Sequence, residues 1–141
     1  EEEQHRLFEP KLMFDAVEGF DADFISLQRD VAVEARPDWV THVPLDTWEQ
    51  TARVIAGLDL VISSCTAVAH LSAAMGVPTW IVVPIMSYFL WALHGDKTPW
   101  YDSVRLFRQE GYGDWTAPFT KIRSALFAST SGAGSTNSLA L

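Results

Sequence analysis

Two short apolar runs, residues 58–63 and 79–83, flank a stretch of helical period that ends in Gly76 and Pro78. The first run, Leu-Asp-Leu-Val-Ile-Ser, is nearly continuous in apolar residues, which suits a strand buried on both faces of a sheet. Residues 66–75 between the runs are spaced as a helix. Gly76 suits its left-handed end, and Pro78 stops any continuation. Strand, helix and strand over some 25 residues form a βαβ unit, and such units build parallel sheets.

The same alternation extends both ways. Residues 10–17 read as a short helix, and residues 23–28 (Asp-Phe-Ile-Ser-Leu-Gln) as a strand. Residues 30–43 are polar and broken by Pro37, which suggests a connection with one brief strand. Asp46 and Glu49 have capping-box spacing, and Trp48, Ala52, Ile55 and Ala56 then fall on one helical face. Residues 104–107 form a further apolar run. Asp114 is placed to cap a last helix, on which Phe119, Ile122 and Leu126 share a face. The stretch from Ser129 onward is rich in Ser, Gly and Thr. The expected organisation is one α/β domain over residues 1–128, with a parallel Rossmann-like sheet flanked by helices, and a flexible tail over 129–141.

The charge of −8 over 141 residues argues against a nucleic-acid groove. Cys65 is the one cysteine, so no disulfide framework exists, and a reducing compartment such as the cytoplasm is expected. No apolar run reaches the ~20 residues that span a bilayer. The four histidines and the cysteine show no metal-ligand spacing.

Open parallel sheets bind ligands beyond the carboxyl ends of their strands. Here that location falls at Ser63-Ser64-Cys65-Thr66-Ala67, where a strand gives way to a helix whose first N–H groups favour an anion, above all a phosphate. Ser64 and Thr66 add hydroxyl donors, Ala67 leaves the approach open, and His70 follows Thr66 by one helical turn. Gln28 and Arg29 close an earlier strand on the same side, and Arg29 suits a diphosphate. For His70 alone a structural role is the commoner outcome, and for Cys65 a small buried side chain is. Tyr88, Trp91, Trp100 and Tyr101 either pack a long loop or form a wall for a sugar or base. His94, Asp96 and Lys97 belong to that loop, and Arg105 and Arg108 flank a strand.

Residues 58–76 with Pro78-Thr79-Trp80, together with Asp23-Phe-Ile-Ser-Leu-Gln28, Thr66-Ala-Val-Ala-His-Leu71, Trp91-Ala-Leu, Thr98 to Gln109 and Asp114-Trp115, resemble a known family. It is the donor-binding C-terminal domain of heptosyltransferase-like (family 9-like) glycosyltransferases, nearest to bacterial members linked to tetratricopeptide repeats. Cys65 and Ala67 stand where that pattern often has Asp and Gly. The resemblance implies one half of a two-domain GT-B fold, lacking its first strand. It implies a nucleotide-diphosphate sugar as donor, with Thr66, Ala67 and His70 at the nucleotide and no metal or other cofactor; together with Ser64, Cys65, Gln28 and Arg29 these are the residues expected at the donor. It further implies an N-terminal acceptor domain outside this sequence, a glycan or protein as acceptor, and a place in the cytoplasm or at the periphery of the inner membrane. Two other readings remain open: a non-catalytic nucleotide or nucleotide-sugar module, and a cysteine hydrolase using Cys65 at the helix start.

Overall fold

A computed structural model describes residues 7–29, 36–129 and 137–141. Helix α1 (Pro10–Val17) begins on a proline, whose missing N–H costs nothing at a first helical turn. Strand β1 (Ala22–Ser26) follows, then β2 (Val40–His42), α2 (Trp48–Ala56), β3 (Leu60–Ser64), α3 (Ala67–Ala74), β4 (Thr79–Val83), β5 (Val104–Arg108), α4 (Thr116–Ala128) and β6 (Asn137–Ala140). A single 3-10 turn, Phe89–Trp91, interrupts the long connection between β4 and β5.

The six strands form one sheet in the order β2-β1-β6-β3-β4-β5. Every strand pairing is parallel, so the Rossmann-like α/β class read from the sequence is the observed one. Side chains alternate across the sheet as the pleat requires. Phe24, Ile62, Val82, Phe107 and Leu139 point to one face, where α1 and α4 bring Met13, Val17, Phe119, Ile122 and Leu126. Ile81, Val83, Val104 and Leu106 point to the other, under Ala69 and Ala73 of α3 and under Trp91. Beside them Val61 and Ala140 meet Ile55 of α2.

One expectation is corrected at the chain's end. Residues 129–141 were read as one flexible tail, but Asn137–Ala140 lies in the middle of the sheet, paired with β1 on one side and β3 on the other. Leu139, Ala140 and Leu141 are buried. Three apolar residues in a row can fill a central slot because main-chain ladder bonds on both edges add to their burial. Residues 130–136 lie outside the described ones, and Ser129 ends α4.

Two local readings also shift. The capping box at α2 is Thr47 with Gln50, one residue later than Asp46 with Glu49: the Gln50 N–H donates to the Thr47 hydroxyl, and the Gln50 side chain accepts from the N–H groups of Asp46 and Thr47. With the helix so set, its buried face carries Thr51 and Ile55, and Trp48 is exposed. At α4 the carboxylate of Asp114 accepts the Thr116 N–H at 2.8 Å, although the cap position itself is Trp115. That bond from Thr116, on main chain and then side chain, holds the Asp114 carboxyl below its ordinary pKa.

Candidate functional site

The chain leaves the sheet centre in two directions. From β1 it passes to β2 on one side, and from β3 it passes to β4 and β5 on the other. Between such diverging crossovers the carboxyl ends of the strands border a crevice, and in doubly wound sheets ligands lie there. This sheet has one of ≈ 440 Å³, bordered by Gln28 and Arg29 after β1, Ser63 and Ser64 at the end of β3, Thr66 before α3, and Leu141 after β6. Phe8, Met13, Leu27 and Val68 supply apolar wall.

Four of the seven residues expected at a ligand therefore come together: Gln28, Arg29, Ser64 and Thr66. Their elements explain why. β1 and β3 are both parallel to β6, so their last residues emerge at one edge of the sheet. Among the described residues the lining contains one basic side chain and no Asp or Glu side chain, although the whole chain carries −8. A local site for an anion is thus compatible with an acidic protein.

The start of α3 adds to this. Its first backbone bond runs from the His70 N–H to the Thr66 carbonyl, and the Thr66 side chain makes no capping bond to the helix. The Thr66 hydroxyl lies instead 3.3 Å from the Ser63 hydroxyl and 3.4 Å from the Ser64 carbonyl oxygen. Ala67 is exposed beside it.

His70 and Cys65 turn elsewhere. The His70 ring stacks on Trp91, with centroids 5.0 Å apart, and its Nδ1 lies 3.1 Å from the Tyr101 hydroxyl. Cys65 is half-buried against the same cluster of α3, β4 and β5 residues. Here the structure selects the packing role for Trp91 and Tyr101: they fasten the connection between β4 and β5 onto α3. Arg108 fastens it again, donating to the Ser87 hydroxyl (2.8 Å) and to the carbonyls of Trp91 and Leu93 (2.7 and 2.9 Å). Partial burial lowers the pKa of that guanidinium. Asp96 pairs with Arg105 at 3.3 Å. Tyr88, Phe89 and Trp100 stay exposed on the same connection.

Sequence reasoning missed the crevice's apolar half. Met13 comes from α1, which no motif marked, Phe8 from the residues just before it, and Leu141 from a segment read as tail. The run Leu139-Ala140-Leu141 after a polar stretch was the available signal. A larger groove of ≈ 1220 Å³ follows the outer side of β5 and α4. It lies at the margin of the sheet, away from the diverging crossovers, and the ion pairs Asp96–Arg105 and Glu110–Lys121 sit along it. Among the described residues no group of three or more His, Cys, Asp or Glu is arranged to hold a metal ion, and no helix is long and apolar enough to cross a membrane.

No family model matches the chain, and no solved structure matches it. A curated relative, Protein FlbA of Caulobacter vibrioides, is 34% identical over 78 residues, which is 55% of this chain. The matched stretch is 13% of the length of that relative.

Proposed function

We propose that this chain binds the donor, a nucleotide-diphosphate sugar, for a metal-independent glycosyltransferase of the heptosyltransferase-like kind. The observation that carries the reading is the crevice between the diverging crossovers, where Arg29, Gln28, Ser64 and Thr66 meet beside the start of α3. A diphosphate suits this arrangement. The first N–H groups of a helix and one guanidinium offset its charge, and serine and threonine hydroxyls donate to its oxygens. The apolar wall of Phe8, Met13 and Leu27 gives the less charged end of the ligand a surface to lie on. The motif resemblance supports the sugar-nucleotide class. In this reading His70 acts at one remove, by holding α3 and the loop that carries Trp91. The acceptor, a glycan or a protein, and the group that activates it belong to a further domain.

Catalysis would then rest on stabilising the leaving diphosphate. Negative charge grows on its oxygen as the glycosidic bond breaks, and fixed N–H dipoles aimed at that oxygen gain strength as it does.

Calorimetric titration with a set of nucleoside diphosphates tests the proposal. Arg29→Ala should weaken binding roughly ten- to hundredfold, the worth of one charge-assisted hydrogen bond. Thr66→Ala should fall at or below the low end of that range, because the backbone donors survive. No binding of any nucleoside diphosphate to the folded chain, or equal affinity in both variants, would remove the crevice from the site. Binding without sugar turnover, once an acceptor domain is supplied, would favour the non-catalytic module.

A further inference from the structure

A second cavity opens on the same edge of the sheet, at the carboxyl ends of β4 and β5. Its volume of ≈ 550 Å³ is that of a small-molecule site. Met86 borders it past the end of β4, Gln109 past the end of β5, and Asp114 and Trp115 just before α4. Phe8 borders both this cavity and the crevice beside Arg29. A smaller hollow of ≈ 250 Å³ shares Leu7 with the cavity and Gln28 and Ser64 with the crevice. The three therefore follow one another along the strand ends.

Local chemistry fixes the walls. Gly113, at a φ of 77°, takes the left-handed conformation that a side chain disfavours. It closes a turn in which the Asp114 N–H donates to the Gly111 carbonyl at 3.1 Å, and that turn carries Tyr112 and Asp114. The Thr116 N–H then holds the Asp114 carboxylate at 2.8 Å. The buried Gln109 side chain accepts the Ile85 N–H at 3.1 Å and ties the exit of β4 to that of β5. Phe8 packs on Trp115, with ring centroids 5.4 Å apart.

Charge divides the trough. Among the described residues the crevice has Arg29 and no carboxylate, whereas this cavity has the carboxylates of Glu9 and Asp114 and no Lys, Arg or His. Two carboxylates repel a phosphate. They accept hydroxyl groups in charge-assisted bonds, and the negative faces of aromatic rings suit C–H groups. We infer that this cavity is a sugar subsite, which takes an uncharged sugar ring with its hydroxyls on Glu9 and Asp114 and its C–H face on the aromatic side chains. The inference rests on the donor reading and deepens it: the anion lies by Arg29 and the sugar across Phe8. The ring is that of the donor or that of a glycan acceptor, which share this chemistry.

The test follows the amide resonances of the isotope-labelled full chain, residues 112–116 for the cavity and 64–67 for the crevice. The probes are the methyl glycosides of glucose, mannose, galactose and N-acetylglucosamine, then UDP, GDP and ADP, then UDP-glucose, GDP-mannose and ADP-glucose. At least one glycoside should shift 112–116 and leave 64–67 in place. Glu9→Gln and Asp114→Asn, both at exposed positions, should each weaken that glycoside roughly tenfold and leave the bare nucleotides within about twofold. A sugar nucleotide that shifts both sets together assigns the ring to the donor. A glycoside that still shifts 112–116 with the sugar nucleotide bound assigns it to the acceptor. Glycoside binding at 112–116 without any nucleotide binding supports the subsite and removes the donor reading alone. No shift at 112–116 with any glycoside or sugar nucleotide overturns the inference, even where bare nucleotides bind at 64–67. Glycoside affinity unchanged in both variants overturns it as well.

Discussion

Leu139→Ala measures how far the end of the chain belongs to the core. Leu139 is 2% exposed, within the cluster that joins α1, α4 and one face of the sheet. The substitution removes three carbon groups, worth about 0.8 kcal/mol each on transfer from water, or ~2.4 kcal/mol. Phe24, Ile62 and Leu126 belong to the same cluster and are held by their own strands and helix, so collapse into the space would be partial. The remaining cavity raises the cost to about 3–5 kcal/mol. For a chain of this size each kcal/mol lowers the melting temperature by roughly 3 °C, so a drop of about 9–15 °C is expected in calorimetry or circular dichroism. Ser138→Ala is the control. Ser138 is half-buried and its β6 clasp runs through its main-chain N–H and C=O, so the change should stay within about 0.5 kcal/mol. Equal melting of Leu139→Ala and the unaltered chain would refute the placement of β6 in the sheet.

Two further predictions follow from the loops and helix starts. His70→Phe keeps the stack on Trp91 and loses the contact with Tyr101, so it should cost about 0.5–1.5 kcal/mol of stability and leave nucleoside-diphosphate affinity within about twofold; a large loss of affinity in a fully folded His70→Phe would return the imidazole to the ligand. Asp114 has a lowered pKa in the folded chain, so the unfolded chain binds the proton more readily and stability rises with pH across that window. The advantage of Asp114 over Asp114→Asn should be present at neutral pH and disappear as pH falls through and below the ordinary carboxylate range. A pH-independent difference between their melting temperatures would contradict that assignment.

How much was legible beforehand depended on whether a feature is local. The runs at 58–63 and 79–83 and the helix between them declared a parallel sheet because periodicity and the Gly76 stop are properties of neighbouring residues. Gly76 indeed has φ of 76°. The polar half of the crevice was legible for a related reason. In a parallel sheet all carboxyl ends share one edge, so residues at or just after strand ends, Gln28, Arg29, Ser64 and Thr66, converge wherever the strands sit.

The remainder was settled by packing. His70 follows Thr66 by one turn in any helix, but which way its ring faces depended on Trp91 and Tyr101, more than twenty residues along the chain. The capping box moved by one residue because Thr47 and Gln50 complete both of its hydrogen bonds. The fate of residues 137–141 was the least local of all. Leu139, Ala140 and Leu141 are too few to announce a strand by periodicity, and a polar stretch precedes them. Only the assembled halves of the sheet provide two edges and an apolar floor, and that environment turns an unremarkable chain end into a central strand. Sequence thus determined the class of the fold and the chemistry gathered at its strand ends. Tertiary structure decided which strand fills the centre and which side chains line the crevice, because both depend on surfaces that exist only after distant segments have packed.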